Sequence, residues 1–237
     1  MNTMSNSERL RRKIELVLPT LGAASSEVIH HPQFRELYPE FLVTVHWMIR
    51  ATVPLMRTAL QRCHELEATD PVAAAMVPFL TQHIKAEMDH DEWLLQDLEL
   101  IGVPRCEVLK RMPSPTVAAM IGAHYYWIHH HHPVAKLGQV AVMDGYPAPV
   151  EVVELMAAKT GYPRKAFRTI ERHCHLDIKH RRDFDDALDG MPLQEEHHKI
   201  LGISALHTVH MGAKAYREVL ERAPKLQPQD SRTAVSV

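Results

Sequence analysis

The chain has 237 residues, 46% of them hydrophobic and 24% charged, and its formal net charge is −2. This composition is ordinary for a globular protein with a substantial core, and it excludes a general electrostatic attraction to nucleic acid or to anionic membranes. Segment 1–15 lacks the apolar stretch of a signal peptide, and the longest apolar run, 72–80, is too short to cross a bilayer. We therefore expect a cytoplasmic protein whose partners include neither nucleic acid nor membrane.

In chain order, apolar residues recur with a period near 3.6, which predicts helices along most of the sequence. The expected helices are 34–65, bent at Pro54; 71–101, begun by Pro71 and stopped by Gly102; one from Ser114 that Pro133 breaks or kinks; 134–144; 150–159; 164–188; and 194–221. Residues 225–237 have the composition of a loose polar tail. The sequence thus predicts an all-α, single-domain bundle of about seven or eight helices over residues 1–224.

Histidine is the unusual residue, with 18 copies in the chain. Four form an internal run at 129–132, which we expect to be polar surface, and many others stand at helical spacing from carboxylates. The three cysteines show no pattern typical of a disulfide framework or a zinc site. Metal binding by imidazoles and carboxylates is the interpretation that the excess of histidine favours.

Two of the predicted helices carry candidate ligands. Glu87-x-x-His90 has the spacing by which one helical turn presents a carboxylate and an imidazole to a metal in a bundle core, although the same spacing recurs elsewhere in the chain. The pattern His173-x3-Asp177-x2-His180 is rarer, and it places its three side chains on one helix face within about 60° of each other. Both sets lie in mid-helix, where facing side chains of a bundle meet.

A dinuclear site would need a third carboxylate from the helix between these two. Asp144 is the acid on that helix, and Glu151 and Glu154, beyond two prolines, are the next candidates. Carboxylates and imidazoles without a thiolate suit iron or manganese better than a soft metal.

The run His83-x3-Glu87-x2-His90-x2-Trp93, the segment HPVAKLGQVAVMDG and the pattern at 173–180 occur in that order. In this combination they resemble the heme-oxygenase-like diiron oxidases and oxygenases, which share the fold of heme oxygenase and thiaminase II, over residues 34–218. The resemblance implies two Fe(II) ions per chain, O2 as cosubstrate, an external reductant or electron donor, and a small-molecule substrate. Asp144 stands where this family usually has a glutamate. The implied metal ligands are Glu87, His90, Asp144, His173, Asp177 and His180.

Two further groups of residues have expected roles near the metals. His83 and Asp183 continue the two ligand faces and are expected to orient the ligating imidazoles. Four residues on the helix that would cover the metals are expected either to line a substrate pocket or to be ordinary core. These are His124, Tyr125, Tyr126 and Trp127.

The favoured function is N-oxygenation of an amine by a non-heme diiron oxygenase. Desaturation or C–C cleavage of a small acid or amino acid by the same site stays open, as does a non-enzymatic iron-binding protein. A metal-independent thiaminase-like enzyme would need a cysteine nucleophile, and a heme oxygenase would need a proximal histidine, for which His46 is the nearest candidate. The sequence also leaves open the substrate, the electron donor and a homodimer.

Overall fold

The structure, a computed structural model of the chain, describes residues 4–222. This range contains α-helices and one 3-10 turn, Arg164–Phe167, but no β-strand, so the all-α prediction is confirmed. The predicted boundary at residue 224 and the predicted tail 225–237 lie outside the described residues. The helices are α1 (Asn6–Glu15), α2 (Leu18–Ile29), α3 (Phe34–Arg50), α4 (Thr52–Leu66), α5 (Pro71–Glu87), α6 (His90–Leu100), α7 (Arg105–Lys110), α8 (Pro115–His130), α9 (Ala135–Met143), α10 (Glu151–Thr160), α11 (Arg168–Asp189) and α12 (Glu195–Leu220).

The helices outnumber the predicted seven or eight partly because α1, α2 and α7 were not predicted. A signal for α1 is present in the sequence: Ser5 and Glu8 form a capping box, in which each side chain accepts the other residue's backbone N–H. Leu10 and Ile14 then bury one face of α1. The short length of α7, six residues, leaves too few turns for a periodic pattern.

The predicted helix 34–65 is divided at Ala51 into α3 and α4 rather than bent at Pro54. Proline has no N–H to donate to the carbonyl four residues earlier, so an unbroken helix would lose that hydrogen bond. Starting a new helix at Thr52 places Pro54 in the first turn, where backbone N–H groups have no intrahelical partner in any case.

The predicted helix 71–101 is also two helices, since α5 ends at Glu87 and α6 begins at His90. Between them Met88 is extended and Asp89 has φ 66°, which is the left-handed conformation. Asp89 is the one non-glycine residue of the described range with a positive φ. Aspartate tolerates this conformation better than most residues, so the turn can form without glycine.

Most of the predicted starts and stops are confirmed. Asp70 caps α5 ahead of Pro71, and Ser114 caps α8 ahead of Pro115. Gly102 and Gly161, with φ of 86° and 64°, follow the ends of α6 and α10. No helix of the range 4–222 is long and apolar enough to span a membrane.

The apolar core forms two clusters with a polar region between them. One contains Ile84 of α5 and Phe184 of α11, and the other contains Leu94 of α6 and Cys174 of α11. The candidate ligands on these helices, residues 87–90 and 177–180, lie between those markers in sequence. Helix α9 packs in the interior against α12, and every residue from Ala135 to Val142 is buried.

Candidate metal centre

The turn between α5 and α6 brings Glu87 and His90 together in the interior. The residues are 6% and 1% exposed, and Glu87 Oε2 lies 3.1 Å from His90 Nδ1. The other carboxylate oxygen, Oε1, lies 3.2 Å from Nδ1 of His180 on α11. Glu87 is therefore placed between two imidazoles that come from different helices.

Helix α11 supplies three of the predicted ligands from one face. Asp177 and His180 are buried, and the His173 ring lies 4.8 Å from the ring of His90. His173 Nδ1 donates to the carbonyl of Thr169 at 2.8 Å, so its Nε2 carries the free lone pair. A ligating histidine commonly has its second nitrogen held by such a bond.

Asp144, directly after α9, completes the group. Its Oδ2 lies 2.8 Å from His83 Nε2 on α5. Glu151 is exposed at the start of α10, and Glu154 pairs with Arg164 at the surface. Of the three acids weighed as third carboxylate, Asp144 is the one that lies beside the other predicted ligands.

The residues present fit a metal centre by two tests. Four buried ligand atoms within the described range make no hydrogen bond of good geometry and face one another's side chains at 3.1–3.7 Å, namely Glu87 Oε1, His90 Nδ1, Asp177 Oδ1 and His180 Nδ1. Such atoms are costly to bury unless another group binds them, and a cation could do so here. In addition, ligand atoms of Glu87, His90 and His173 lie within 4.8 Å of one another, as do those of His83, Glu87 and Asp144.

Protonation in the centre reflects burial opposed by opposite charges. Burial disfavours the ionised form of Glu87, but the surrounding imidazoles outweigh it and lower the pKa of Glu87 to about 2. Burial raises the pKa of Asp177, and the adjacent Asp177 carboxylate raises the pKa of His180. Glu87 is thus an anion at neutral pH.

A cavity of about 220 Å³ adjoins the centre, with Glu87, Asp144, His173 and Asp177 in its wall. The rest of the lining is mostly aliphatic and aromatic, and it includes no lysine or arginine among the described residues. On the other side of the centre, an open cleft of about 620 Å³ between α5 and α11 is lined in part by His83 and His180. The centre thus borders both this largely apolar cavity and the cleft.

The residues predicted for the substrate pocket do not line this cavity. His124 is fully buried, its Nδ1 donates to the Met120 carbonyl at 2.7 Å, and burial lowers its pKa to about 3, so it is a neutral core histidine. Tyr125 lines an outer groove, and Tyr126 is 58% exposed. Trp127 packs against the rings of His124 and His207. The rotation of α8 directs these side chains away from the centre.

The two residues expected to orient imidazoles have other contacts. His83 Nε2 lies 2.8 Å from Asp144 Oδ2, and the His83 ring also meets the ring of His180 edge-on at 5.1 Å. Asp183 is half-exposed and accepts from Lys179 one turn earlier on α11.

A separate group of Asp70, His132 and His197 also has metal-like spacing. However, His132 Nδ1 accepts the Val134 N–H and His197 Nδ1 accepts the Gln194 N–H. Each neutral ring then carries its proton on Nε2, and His132 donates it to Asp70 at 2.9 Å. The group is therefore a hydrogen-bonded contact rather than a metal site.

The sequence did not reveal the residues that line the cavity. Thr169 stands four residues before His173, a spacing that could have marked it as the partner of Nδ1. Tyr216 reaches the cavity from α12, where it belongs to an ordinary apolar face and carries no motif. Burial raises the pKa of Tyr216 to about 12, so it remains a phenol that can donate a hydrogen bond.

No protein-family model matches the chain, and no curated protein matches it in sequence. Solved structures do match its backbone. A domain of unknown function with a heme oxygenase-like fold from Shewanella denitrificans is 16% identical, with a TM-score of 0.78 and 90% of each chain covered. A CADD-like protein of unknown function from Nostoc punctiforme is 14% identical, with a TM-score of 0.65, and the match covers 90% of this chain and 98% of that one.

A TenA homolog from Pseudomonas syringae is 11% identical, with a TM-score of 0.64 and coverage of 87% of this chain and 92% of that one. At such identities the likeness concerns the backbone alone. The prediction of the fold is confirmed: the chain has a heme-oxygenase-like fold.

Proposed function

We propose that the protein is a non-heme diiron oxygenase that uses O2 to oxidise a small organic substrate. The observation that carries this proposal is the position of Glu87, which belongs to both groups of ligand atoms. A single carboxylate shared by two ligand sets is the arrangement that two neighbouring metal ions need. Carboxylates and neutral imidazoles without thiolate favour iron or manganese.

The chemistry that two bound ferrous ions supply is the reduction of O2, after which an external electron donor restores the ferrous state. The chain supplies the geometry. Glu87 stands between the ligand sets, and Thr169 holds the His173 ring with Nε2 free. Apolar side chains form the rest of the cavity wall on the side where His173 and Asp177 are accessible.

The cavity favours a small and largely uncharged substrate. Its volume of about 220 Å³ is below the roughly 300–1,000 Å³ of sites for drug-sized ligands. Because its lining has no lysine or arginine within the described range, a carboxylate held away from the metals would lack a partner. N-oxygenation of a small neutral amine fits these walls better than oxidation of a fatty acid or an amino acid.

A thiaminase-like reaction is disfavoured by the state of the cysteines. Cys63 is buried and burial raises the pKa of its thiol to about 12. Burial also raises the pKa of Cys174, and no cysteine lines the cavity within the described range. A nucleophilic cysteine needs thiolate character, which these surroundings oppose.

The first experiment counts iron. Protein loaded anaerobically with Fe(II) and desalted should retain about two ions per chain. The variant His173→Ala should retain less iron with unchanged helical content. His175→Ala is the matched control, because His175 is two residues away on α11 but exposed. Equal iron in the wild-type protein and in His173→Ala would contradict the site.

The second experiment identifies the reaction. Loaded protein and a reductant are mixed with a panel of small amines, amino acids and medium-chain acids, while oxygen uptake and product masses are recorded. Products heavier by one or two oxygen atoms from neutral amines are expected. Alkene products would overturn the preference for N-oxygenation, and the absence of uptake with every compound would favour an iron-binding protein without enzymatic activity.

A further inference from the structure

His83 lies inside the centre, although it is not among the six ligands that the sequence indicates. It stands one helical turn before Glu87 on α5 and is 4% exposed. Its ring stacks on Phe79 at 5.1 Å and meets the ring of His180 edge-on at 5.1 Å. These contacts hold its Nε2 at 2.8 Å from Asp144 Oδ2.

The two groups of ligand atoms that share Glu87 divide the centre into unequal halves. The first group adds His90 and His173 to Glu87. The second adds His83 and Asp144 to Glu87.

The second half has further donors close by. Nδ1 of His180 lies 3.2 Å from Glu87 Oε1 and 3.7 Å from Asp177 Oδ1. The first half therefore has three protein donors, whereas the second can draw on His83, Asp144, Asp177 and His180 besides Glu87.

We infer that His83 is a seventh metal ligand, bound through Nε2 in the same half as Asp144. This inference rests on the proposed diiron function. The imidazole of His83 supplies a nitrogen donor 2.8 Å from Asp144 Oδ2, within the ligand group that also contains Glu87. The half that contains His83 would then draw on more protein donors than the half that contains His90.

The competing role for His83 is that of a positioning residue that donates an Nε2 proton to Asp144. The two roles exclude each other, because a nitrogen that binds a metal through its lone pair cannot also carry a proton. Substituting glutamine for His83 distinguishes the two roles. Its side-chain NH2 can donate to Asp144 at about the place of Nε2, but it is a poor metal ligand.

The test is an anaerobic titration with Co(II), whose visible spectrum reports the ligands without any turnover. Wild-type protein should bind two equivalents. His83→Gln and His83→Ala should each bind the first equivalent normally and the second more weakly, by about tenfold or more. His90→Gln should weaken one equivalent while the spectrum of the other, assigned to the half with His83, persists.

His46→Gln is the matched control, because His46 is equally buried and lies outside both ligand groups. It should titrate like the wild-type protein. If His83→Ala fails to fold, His83→Gln alone decides the question. If His83→Gln binds Co(II) with the affinities and spectrum of the wild-type protein, His83 is not a seventh ligand. The proposed diiron function would be unaffected by that result. Fewer than two equivalents in the wild-type protein would overturn the diiron function itself.

Discussion

Lys136 is a cation enclosed in the core, two turns before Asp144 on α9. The residue is 1% exposed, and its Nζ donates to Gln139 Oε1 at 2.7 Å. Burial lowers its pKa to about 8, although the charges of Asp144 and Glu87 oppose the decrease. The difference from the ordinary value of 10.5 corresponds to a cost of about 3 kcal/mol for keeping Lys136 charged in the folded state.

Replacing this lysine should therefore stabilise the metal-free protein. At pH 7 we expect Lys136→Met to raise the free energy of unfolding by about 1–3 kcal/mol, less than the full cost because Gln139 loses its donor. The native lysine loses its proton near pH 8 and the unfolded one near 10.5, so the gain is complete below pH 8 and fades as the pH rises to 10.5. Urea unfolding from pH 7 to 10.5 measures it.

The exposed Lys85 provides the control, since Lys85→Met should change the free energy of unfolding little at any of these pH values. A gain for Lys136→Met that did not vary with pH would show that the pKa of Lys136 is the same in the folded and the unfolded protein.

Asp144 gives the second prediction for a single residue. Asp144→Asn keeps the shape of the side chain but removes the charge beside His83, so the protein should lose close to one equivalent of iron and its oxygen uptake. Glu151→Gln, at an exposed position, should change neither. Iron analysis of both variants shows whether Asp144 or Glu151 supplies the third carboxylate. The opposite result would place the third carboxylate on α10.

The spacing of residues along a helix made part of this site predictable. His173, Asp177 and His180 share a face wherever the helix runs, so their proximity could be inferred from the sequence. The contact between His83 and Asp144 could not, because 61 residues separate them and the contact depends on how α5 meets the end of α9. The same limit applies to the cavity wall, which draws residues from helices without any common motif.

At the level of helices, the packing of α9 against α12 depends on Gly138. A Cβ atom there would lie 2.5 Å from the Leu201 carbonyl oxygen and 2.7 Å from Ser204 Cβ. Because backbone atoms of α12 cannot move aside cheaply, the helices would have to separate.

Gly138→Ala should therefore lower the free energy of unfolding by about 1–3 kcal/mol, despite the higher helix propensity of alanine. Gly22→Ala in α2 is the matched control, since nothing lies within 4 Å of its added methyl group. That variant should gain about 0.5–1 kcal/mol. Thermal unfolding of both measures the contrast, and equal shifts would mean that α9 can move away from α12 without cost.

Helix starts and stops were predicted well where proline, glycine or a capping side chain marked them, as at Pro71, Ser114 and Gly161. The turn at Asp89 has no such signal. Its left-handed conformation lets α5 pack on α4 and α6 pack on α3, and it places Glu87 and His90 in contact. Strain of this kind concentrates at functional sites, so a sequence pattern fails there for a physical reason.

In the whole molecule, the centre joins helices α5, α6 and α11 and the end of α9 through its buried side chains. A metal that binds the folded state and not the unfolded chain stabilises it, by about 2.7 kcal/mol at a hundredfold excess over Kd. For a chain of this size that corresponds to an increase in Tm of about 5–10 °C.

We expect Mn(II) to produce this increase, a chelator to reverse it, and His175→Ala to behave like the wild-type protein. His173→Ala should show a smaller increase. An increase in Tm that is equal in His173→Ala would mean that the metal binds elsewhere.

The dispersal of the ligands along the chain also governs when a metal could first be held. During synthesis Glu87 and His90 are made first, Asp144 follows, and His180 is made after more than two-thirds of the polypeptide. A nascent chain released as far as α6 offers an ion one carboxylate and one imidazole, which bind weakly and select poorly among the divalent metals of the cell. The proposed donor set is complete only once α11 has docked, so the protein would select its metal late in folding.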